Sequence, residues 1–204
     1  IIFEGAAQNI TGSKHLIQTQ GYNLLLDCGF YQGRRDESNK FNSTLPFEAK
    51  DINAVILSHA HLDHCGTLPV LVKNGFKGKI YCTPATAEIA KYILLDSAGI
   101  QKQDAEYLNR HGENISPIYD ENDVNKVAER FEPVEYFRNS NQWTTLNENI
   151  RFKLYDAGHI LGSAIIFIEI KENPSMEAST ELSRMSSGQV KTLVFTGDLG
   201  REDK

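Results

Sequence analysis

Four side chains suited to metal binding, His59, His61, Asp63 and His64, crowd into six positions of the stretch SHAHLDHCG, directly after an apolar run from Ala54 to Leu57. Imidazole nitrogen and carboxylate oxygen are donors that Zn²⁺ accepts, and a loop leaving a buried strand can turn its side chains towards one point. Side-chain direction on an extended segment alternates with period two, so His59 and His61 face the same way and are expected to share one ion. Asp63 and His64 lie past the turn, in reach of a second. Two ions about 3.5–4 Å apart are a common hydrolytic arrangement. The bland alternative, histidines at a polar surface or satisfied in a core, fits a lone His better than this cluster, whose members would otherwise be desolvated together without partners.

Two later segments repeat the pattern: YDAGHILGSA carries His159 and FTGDLGRED carries Asp198. Each places a ligand-type residue just beyond an apolar strand and beside a glycine, which permits a tight turn and a close backbone approach. Read singly, either is as well explained by an ordinary turn.

The elements that must position these residues follow from hydrophobic periodicity. His15 to Thr19 and Tyr22 to Leu26 read as a hairpin joined at Gln20-Gly21. Ala54 to Leu57 and the run from Gly78 read as short buried strands. Between them DHCGTLPVLVKNGF has the length of one short helix closed by Gly75. Thr83-Pro84 opens an amphipathic helix carrying Ala87, Ile89, Ala90, Ile93 and Leu94. The polar stretch 96–122 reads as helix followed by loop, and DVNKVAERF as a helix capped by Asp123, both at the surface. IRFKLYDAG, SAIIFIEIK and KTLVFTGD read as strands, the last two joined across 172–189 by a Ser/Glu-rich hairpin loop. Strands interleaved with helices predict an α/β or mixed architecture.

Bulk properties agree with a folded domain. The 204 residues are 40% hydrophobic and 24% charged, ordinary values that exclude a disordered chain or a coiled coil and suit one domain over 1–204. A net charge of −6 argues against a coat for nucleic acid, which relies on Lys and Arg, although bound divalent metals reverse the local sign. No apolar run approaches the ~18 residues of a membrane helix, and no basic stretch followed by an apolar one opens the chain, which begins at Ile1 without a Met. Three cysteines, Cys28, Cys65 and Cys82, are odd in number and without paired spacing, which suits a reducing, cytoplasmic setting. Cys65 reads as a small buried thiol, and His15 and His111 as structural or solvent-facing.

Taken together, the segments resemble the metallo-β-lactamase fold, and within it the β-CASP branch of nucleic-acid-processing nucleases. The resemblance runs through GAAQNITGS at 5–13, LLLDCGFYQG at 24–33, HAHLDHCGTLP at 59–69, DAGHILGSA and FTGDLGR. The HxHxDH pattern alone points only to the superfamily, and its combination with the others is more specific. The resemblance implies half or more of an αββα sandwich, with mixed sheets flanked by helices. It also implies two Zn²⁺ ions, with His59, His61 and His159 on one, Asp63 and His64 on the other, and Asp198 bridging both. Asp27 would be a carboxylate that orients ligands, so that Asp27, Asp63, His64 and Asp198 form the catalytic set. The implied reaction is hydrolysis of RNA, exo- or endonucleolytic, by a metal-bridging hydroxide that leaves a 5′-phosphate. Single-stranded RNA is the implied partner, and a homodimer or an RNA-processing complex the implied assembly. Members of the branch continue past TGDLGR into a β-CASP domain that supplies a further zinc ligand, so 1–204 is expected to be the N-terminal part of the metallo-β-lactamase domain. Two alternatives keep the fold, a thioester or lactam hydrolase and a non-catalytic subunit of an RNA-processing complex.

Overall fold

The computed structural model describes residues 1–7, 10–140, 142–172 and 189–201. Its framework is two β-sheets laid face to face. The first has six strands in the order β1 (Ile2–Gly5), β2 (Lys14–Thr19), β3 (Tyr22–Leu26), β4 (Ala54–Ile56), β5 (Lys79–Cys82) and β6 (Phe131–Pro133). β1 to β3 pair antiparallel, and β3 to β6 pair parallel. The second sheet is antiparallel, in the order β10 (Val190–Phe195), β9 (Ala164–Lys171), β8 (Ile150–Asp156) and β7 (Thr144–Thr145).

Alternation along the strands builds two cores. Leu24, Leu26 and Ile56 point inward against Phe152, Leu154, Ile166 and Ile168 of the second sheet. Leu25, Val55 and Ile80 point the other way, against Leu71, Leu94 and Val124 of the covering helices. One residue of register slip would exchange the two faces, so this pattern fixes the pairing. The hairpin forms as expected, with Thr19 opposite Tyr22 and positive φ at both Gln20 and Gly21, the turn geometry that matches strand twist.

The helices depart from the sequence reading in several places. The segment after β4 is two helices, α2 (Leu62–Cys65) and α3 (Leu68–Lys73). The break at Gly66-Thr67 lets the Thr67 hydroxyl donate to the Cys28 and Gly29 carbonyls at 3.1 Å each. α4 is a single 27-residue helix, Pro84–Arg110, with the Thr83 hydroxyl accepting from the Thr86 amide. Its polar second half stays helical because Ser97, Ala98, Ala105 and Leu108 continue the buried stripe. α5 (Glu121–Ala128) is capped by Asp120, not Asp123: Asp123 is the third residue of a reciprocal capping box. Nor does α5 lie wholly at the surface, since Val124, Val127 and the preceding Tyr119 are buried. Its segment ends early, and Phe131 begins β6. β1 and α1 (Arg35–Ser43) were not anticipated. The expected 172–189 hairpin loop falls, for 173–188, outside the described residues.

The outer face of the second sheet carries an unusual cluster. The Lys153 ammonium lies 4.2 Å from the ring centre of Phe137, 4.5 Å from that of Trp143, 4.8 Å from Phe167 and 5.3 Å from Tyr155. Phe137 comes from α6 (Phe137–Ser140), and Arg151 stacks over Trp143 at 4.3 Å. Such contacts hold the Lys153 charge against aromatic surface, while Arg151 also pairs with the Glu169 carboxylate at 2.6 Å.

Candidate metal centre

Each candidate ligand sits where a strand gives out. β4 is buried on both sides and continues through Leu57, whose amide donates to the Tyr81 carbonyl. The extended chain then sends His59 and His61 to the same side before α2 begins. The backbone of α2 is clamped by the two glycine-containing segments that precede it: its Leu62, Asp63 and His64 carbonyls accept from the Phe30, Ser13 and Cys28 amides at 2.9, 2.8 and 2.8 Å. β8 ends at Asp156, and the following turn presents His159. The loop after β10 presents Asp198, and the Gly200 amide ties it to the Ala157 carbonyl at 2.9 Å. A Cβ on Gly200 would stand 1.8 Å from the Gly158 carbonyl oxygen, so only glycine allows the two loops this close.

These loops bring all the candidates together. His59 Nε2 and His159 Nε2 each lie 3.1 Å from His61 Nδ1. Tetrahedral zinc with Zn–N of about 2.0–2.1 Å separates its nitrogens by about 3.3 Å, so the spacing fits a common ion. Asp198 Oδ2 stands 3.8 Å from His59 Nε2 and 3.6 Å from His159 Nε2. The ligand atoms of these four residues lie within 4.8 Å of one another. The other oxygen of Asp198 faces elsewhere: Oδ1 is 3.4 Å from His64 Nε2, which in turn is 3.8 Å from Asp63 Oδ2. Asp198 therefore looks with one oxygen at a three-histidine set and with the other at a His/Asp pair.

Asp27 lies beneath this cluster, fully buried, with a left-handed backbone at φ 58°. Its Oδ2 contacts His64 Nδ1 at 2.7 Å and accepts from the Ser58 and Ser13 hydroxyls at 2.9 and 3.2 Å. Its Oδ1 accepts from the Ser58 amide at 2.7 Å. Anchored at Nδ1, His64 presents Nε2 to the cluster. The Ser58 hydroxyl also lies 3.0 Å from His59 Nδ1, so one serine braces two candidate ligands.

The electrostatics separate the histidines. Burial, with the neighbouring His64 imidazole adding to it, pushes His59 down to about 4. His64 is also penalised by burial, but the Asp27 hydrogen bond and the Asp27, Asp63 and Asp198 charges outweigh that and hold its pKa above the ordinary value. At neutral pH His59 is already a free nitrogen donor, while His64 holds its proton more strongly.

The residues read as bland behave so. Cys28, Cys65 and Cys82 are fully buried thiols whose pKa values burial raises. His111 is exposed and bonds the Tyr107 carbonyl. His15 is half-buried between the Phe3 and Phe195 rings. Sequence reasoning read Thr83 only as the opening of a helix, and it did not single out the supports Ser13, Ser58, Thr86 and Tyr136. Of these only Ser58, beside His59, and Ser13, closing GAAQNITGS, stood next to a recognised signal.

The family model described as the metallo-beta-lactamase superfamily domain matches residues 16–178. The chain belongs to the metallo-β-lactamase superfamily. Among curated members of known name, a ribonuclease of Thermus thermophilus is 32% identical over 200 residues, 98% of this chain and 38% of that protein. Transcription termination factor FttA of Methanocaldococcus jannaschii is 31% identical over 84% of this chain and 25% of its own length. Cleavage and polyadenylation specificity factor 73 of Drosophila melanogaster is 32% identical over 81% and 22%. The chain thus spans well under half the length of each. A subclass B3 metallo-β-lactamase from a soil metagenome library overlays 91% of this chain and 56% of its own, at 18% identity and a TM-score of 0.48. No helix among the described residues is long and apolar enough to cross a membrane.

Proposed function

We propose that the chain carries the metal centre of a zinc-dependent ribonuclease of the β-CASP type. The observation that carries the reading is the two-sided Asp198 carboxylate, with His59 and His159 at one oxygen and His64 at the other. One zinc would be held by His59, His61 and His159, a second by Asp63 and His64, with Asp198 reaching both. Bound there, zinc supplies a nucleophile from water at neutral pH and stabilises charge on a phosphodiester in an in-line displacement. The protein's own part is orientation: Asp27 fixes the His64 ring, and Ser58 braces both Asp27 and His59. RNA as substrate is supported by the relatives, which are named as a ribonuclease, a transcription termination factor and a cleavage and polyadenylation specificity factor; a cytoplasmic setting remains the reading from the cysteines.

The test is elemental analysis of wild type and a His59→Ala/His61→Ala double variant, followed by cleavage of single-stranded RNA by the full-length protein and its His64→Ala variant. Two zincs per chain in wild type, reduced in the double variant, and cleavage lost in His64→Ala are expected. Equal cleavage by wild type and His64→Ala would sink the enzymatic reading.

A further inference from the structure

Beside the ligand cluster lies an open cavity of about 550 Å³, within the size range of small-molecule sites. His159 forms part of its wall, with a side chain 25% exposed. The rest is built from the start of α4, from Glu135 and Tyr136, and from the turn 158–162.

These walls are fixed by hydrogen bonds. The Gly162 carbonyl accepts from the Thr83 and Thr86 hydroxyls at 2.7 and 2.8 Å. The Tyr136 hydroxyl donates to the Ser163 carbonyl at 2.9 Å, and the Ser163 hydroxyl accepts from the His159 and Ile160 amides at 3.1 and 3.2 Å. Asp156 is occupied by the Gly158 amide at 2.8 Å. Glu135 is different: it is exposed and has no ion pair or side-chain hydrogen bond among the described residues.

The charge of the cavity selects its occupant. No Lys or Arg lines it, and its acidic groups are Glu135 and Asp156. A phosphate is repelled from such a wall, whereas hydroxyl and amino donors are attracted. Leu161, 75% exposed at the rim, offers an apolar surface. A sugar with free hydroxyls attached to a flat, apolar-faced base meets all three conditions.

We infer that this cavity is a nucleoside subsite, taking the ribose and base next to a phosphate held at the His/Asp cluster. Glu135 accepts a hydrogen bond from the ribose 2′-hydroxyl, and Leu161 packs on the base. The inference rests on the ribonuclease reading and adds to it a residue that distinguishes RNA from DNA, which differ at that hydroxyl.

The test is a fluorescence-anisotropy titration of the zinc-loaded chain with a labelled single-stranded phosphorothioate oligoribonucleotide and its all-deoxy counterpart. Wild type, Glu135→Ala, Glu135→Gln and Leu161→Ala are compared. Removing a negative charge strengthens binding of both polyanions alike, so the readout for Glu135 is the RNA/DNA affinity ratio, in which that effect cancels. Wild type is expected to prefer RNA about tenfold, the worth of one charge-assisted hydrogen bond. Glu135→Ala should abolish the preference, Glu135→Gln should keep part of it, and Leu161→Ala should weaken both oligomers. An RNA preference unchanged in Glu135→Ala overturns the subsite and leaves the ribonuclease reading standing. A wild-type chain with zinc bound and no affinity for RNA overturns both.

Discussion

Replacing Asp27 by Asn tests whether this carboxylate prepares His64 for a metal. The substitution preserves shape and tolerates the left-handed backbone at φ 58°, a conformation Asn adopts readily. One amide atom can still accept from the Ser58 amide, now 2.7 Å away, but the atom 2.7 Å from His64 Nδ1 becomes an NH₂. That donor requires Nδ1 to accept, which moves the imidazole proton to Nε2, the nitrogen facing Asp198 and Asp63. The second ion would then have to displace a proton held on the wrong atom. Loss of such an orienting partner costs 10- to 100-fold in metal affinity, about 1.4–2.7 kcal/mol. Asp27→Ala differs: it strands the buried Ser58 amide, takes one acceptor from each of the Ser13 and Ser58 hydroxyls and removes the partner of His64, a destabilisation of about 3–5 kcal/mol. Chelator competition with a zinc-sensitive dye measures the first effect, and urea denaturation in excess chelator the second. Asp27→Asn should lose affinity for the zinc proposed at Asp63 and His64 while staying folded, and Asp27→Ala should lose stability as well. Unchanged affinity for both zincs in Asp27→Asn would refute the tautomer argument.

Three further outcomes are expected. The pKa of His64 in the metal-free fold lies above its unfolded value of about 6.5, so its pairing with Asp27 stabilises fully below that pH and fades as pH rises through the folded value. Urea titrations in chelator should therefore show a larger advantage of wild type over His64→Gln at about pH 5.5 than at about pH 9. His59, displaced downward chiefly by burial, pulls the other way in both proteins; the comparison cancels that burial effect, while the part that His64 adds is present in wild type alone and subtracts from its advantage at low pH. Gly29→Ala places a Cβ 1.6 Å from the Asp63 carbonyl oxygen, a backbone clash no rotamer relieves. It should cost about 3 kcal/mol or more by thermal denaturation and disturb the α2 clamp. Phe152→Ala, fully buried between the sheets, should cost about 3–5 kcal/mol yet leave zinc stoichiometry intact.

The sequence was most readable where chemistry and periodicity coincide. HxHxDH after a buried strand marked its members as candidate ligands, and the period-two rule agrees with the 3.1 Å approach of His59 Nε2 and His61 Nδ1. His159 and Asp198 were ambiguous singly because one residue beside a glycine carries little information; the tie between Gly200 and Ala157 that unites their loops is long-range. Helix limits failed where a side chain outside the helix decides them. The break at Thr67 depends on carbonyls at positions 28 and 29, and the cap of α5 fell to Asp120 because two aspartates three apart could each have taken it. β1 was missed because Ile2–Gly5 is too short for its pattern to show, and it exists by pairing with β2.

Trp143 is the only tryptophan in the chain, and its ring neighbours are Phe137, Phe167, Arg151 and Lys153, none of them a candidate ligand. Tryptophan emission from this chain therefore comes from one place, the outside of the second sheet, beside Lys153 and the Glu169-paired Arg151. An emission change on adding RNA, a partner protein or more of the same chain would register contact at that face. Metal entering between the histidines would pass almost unseen in the same spectrum, so this optical signal separates events at the two ends of the molecule's chemistry without any label.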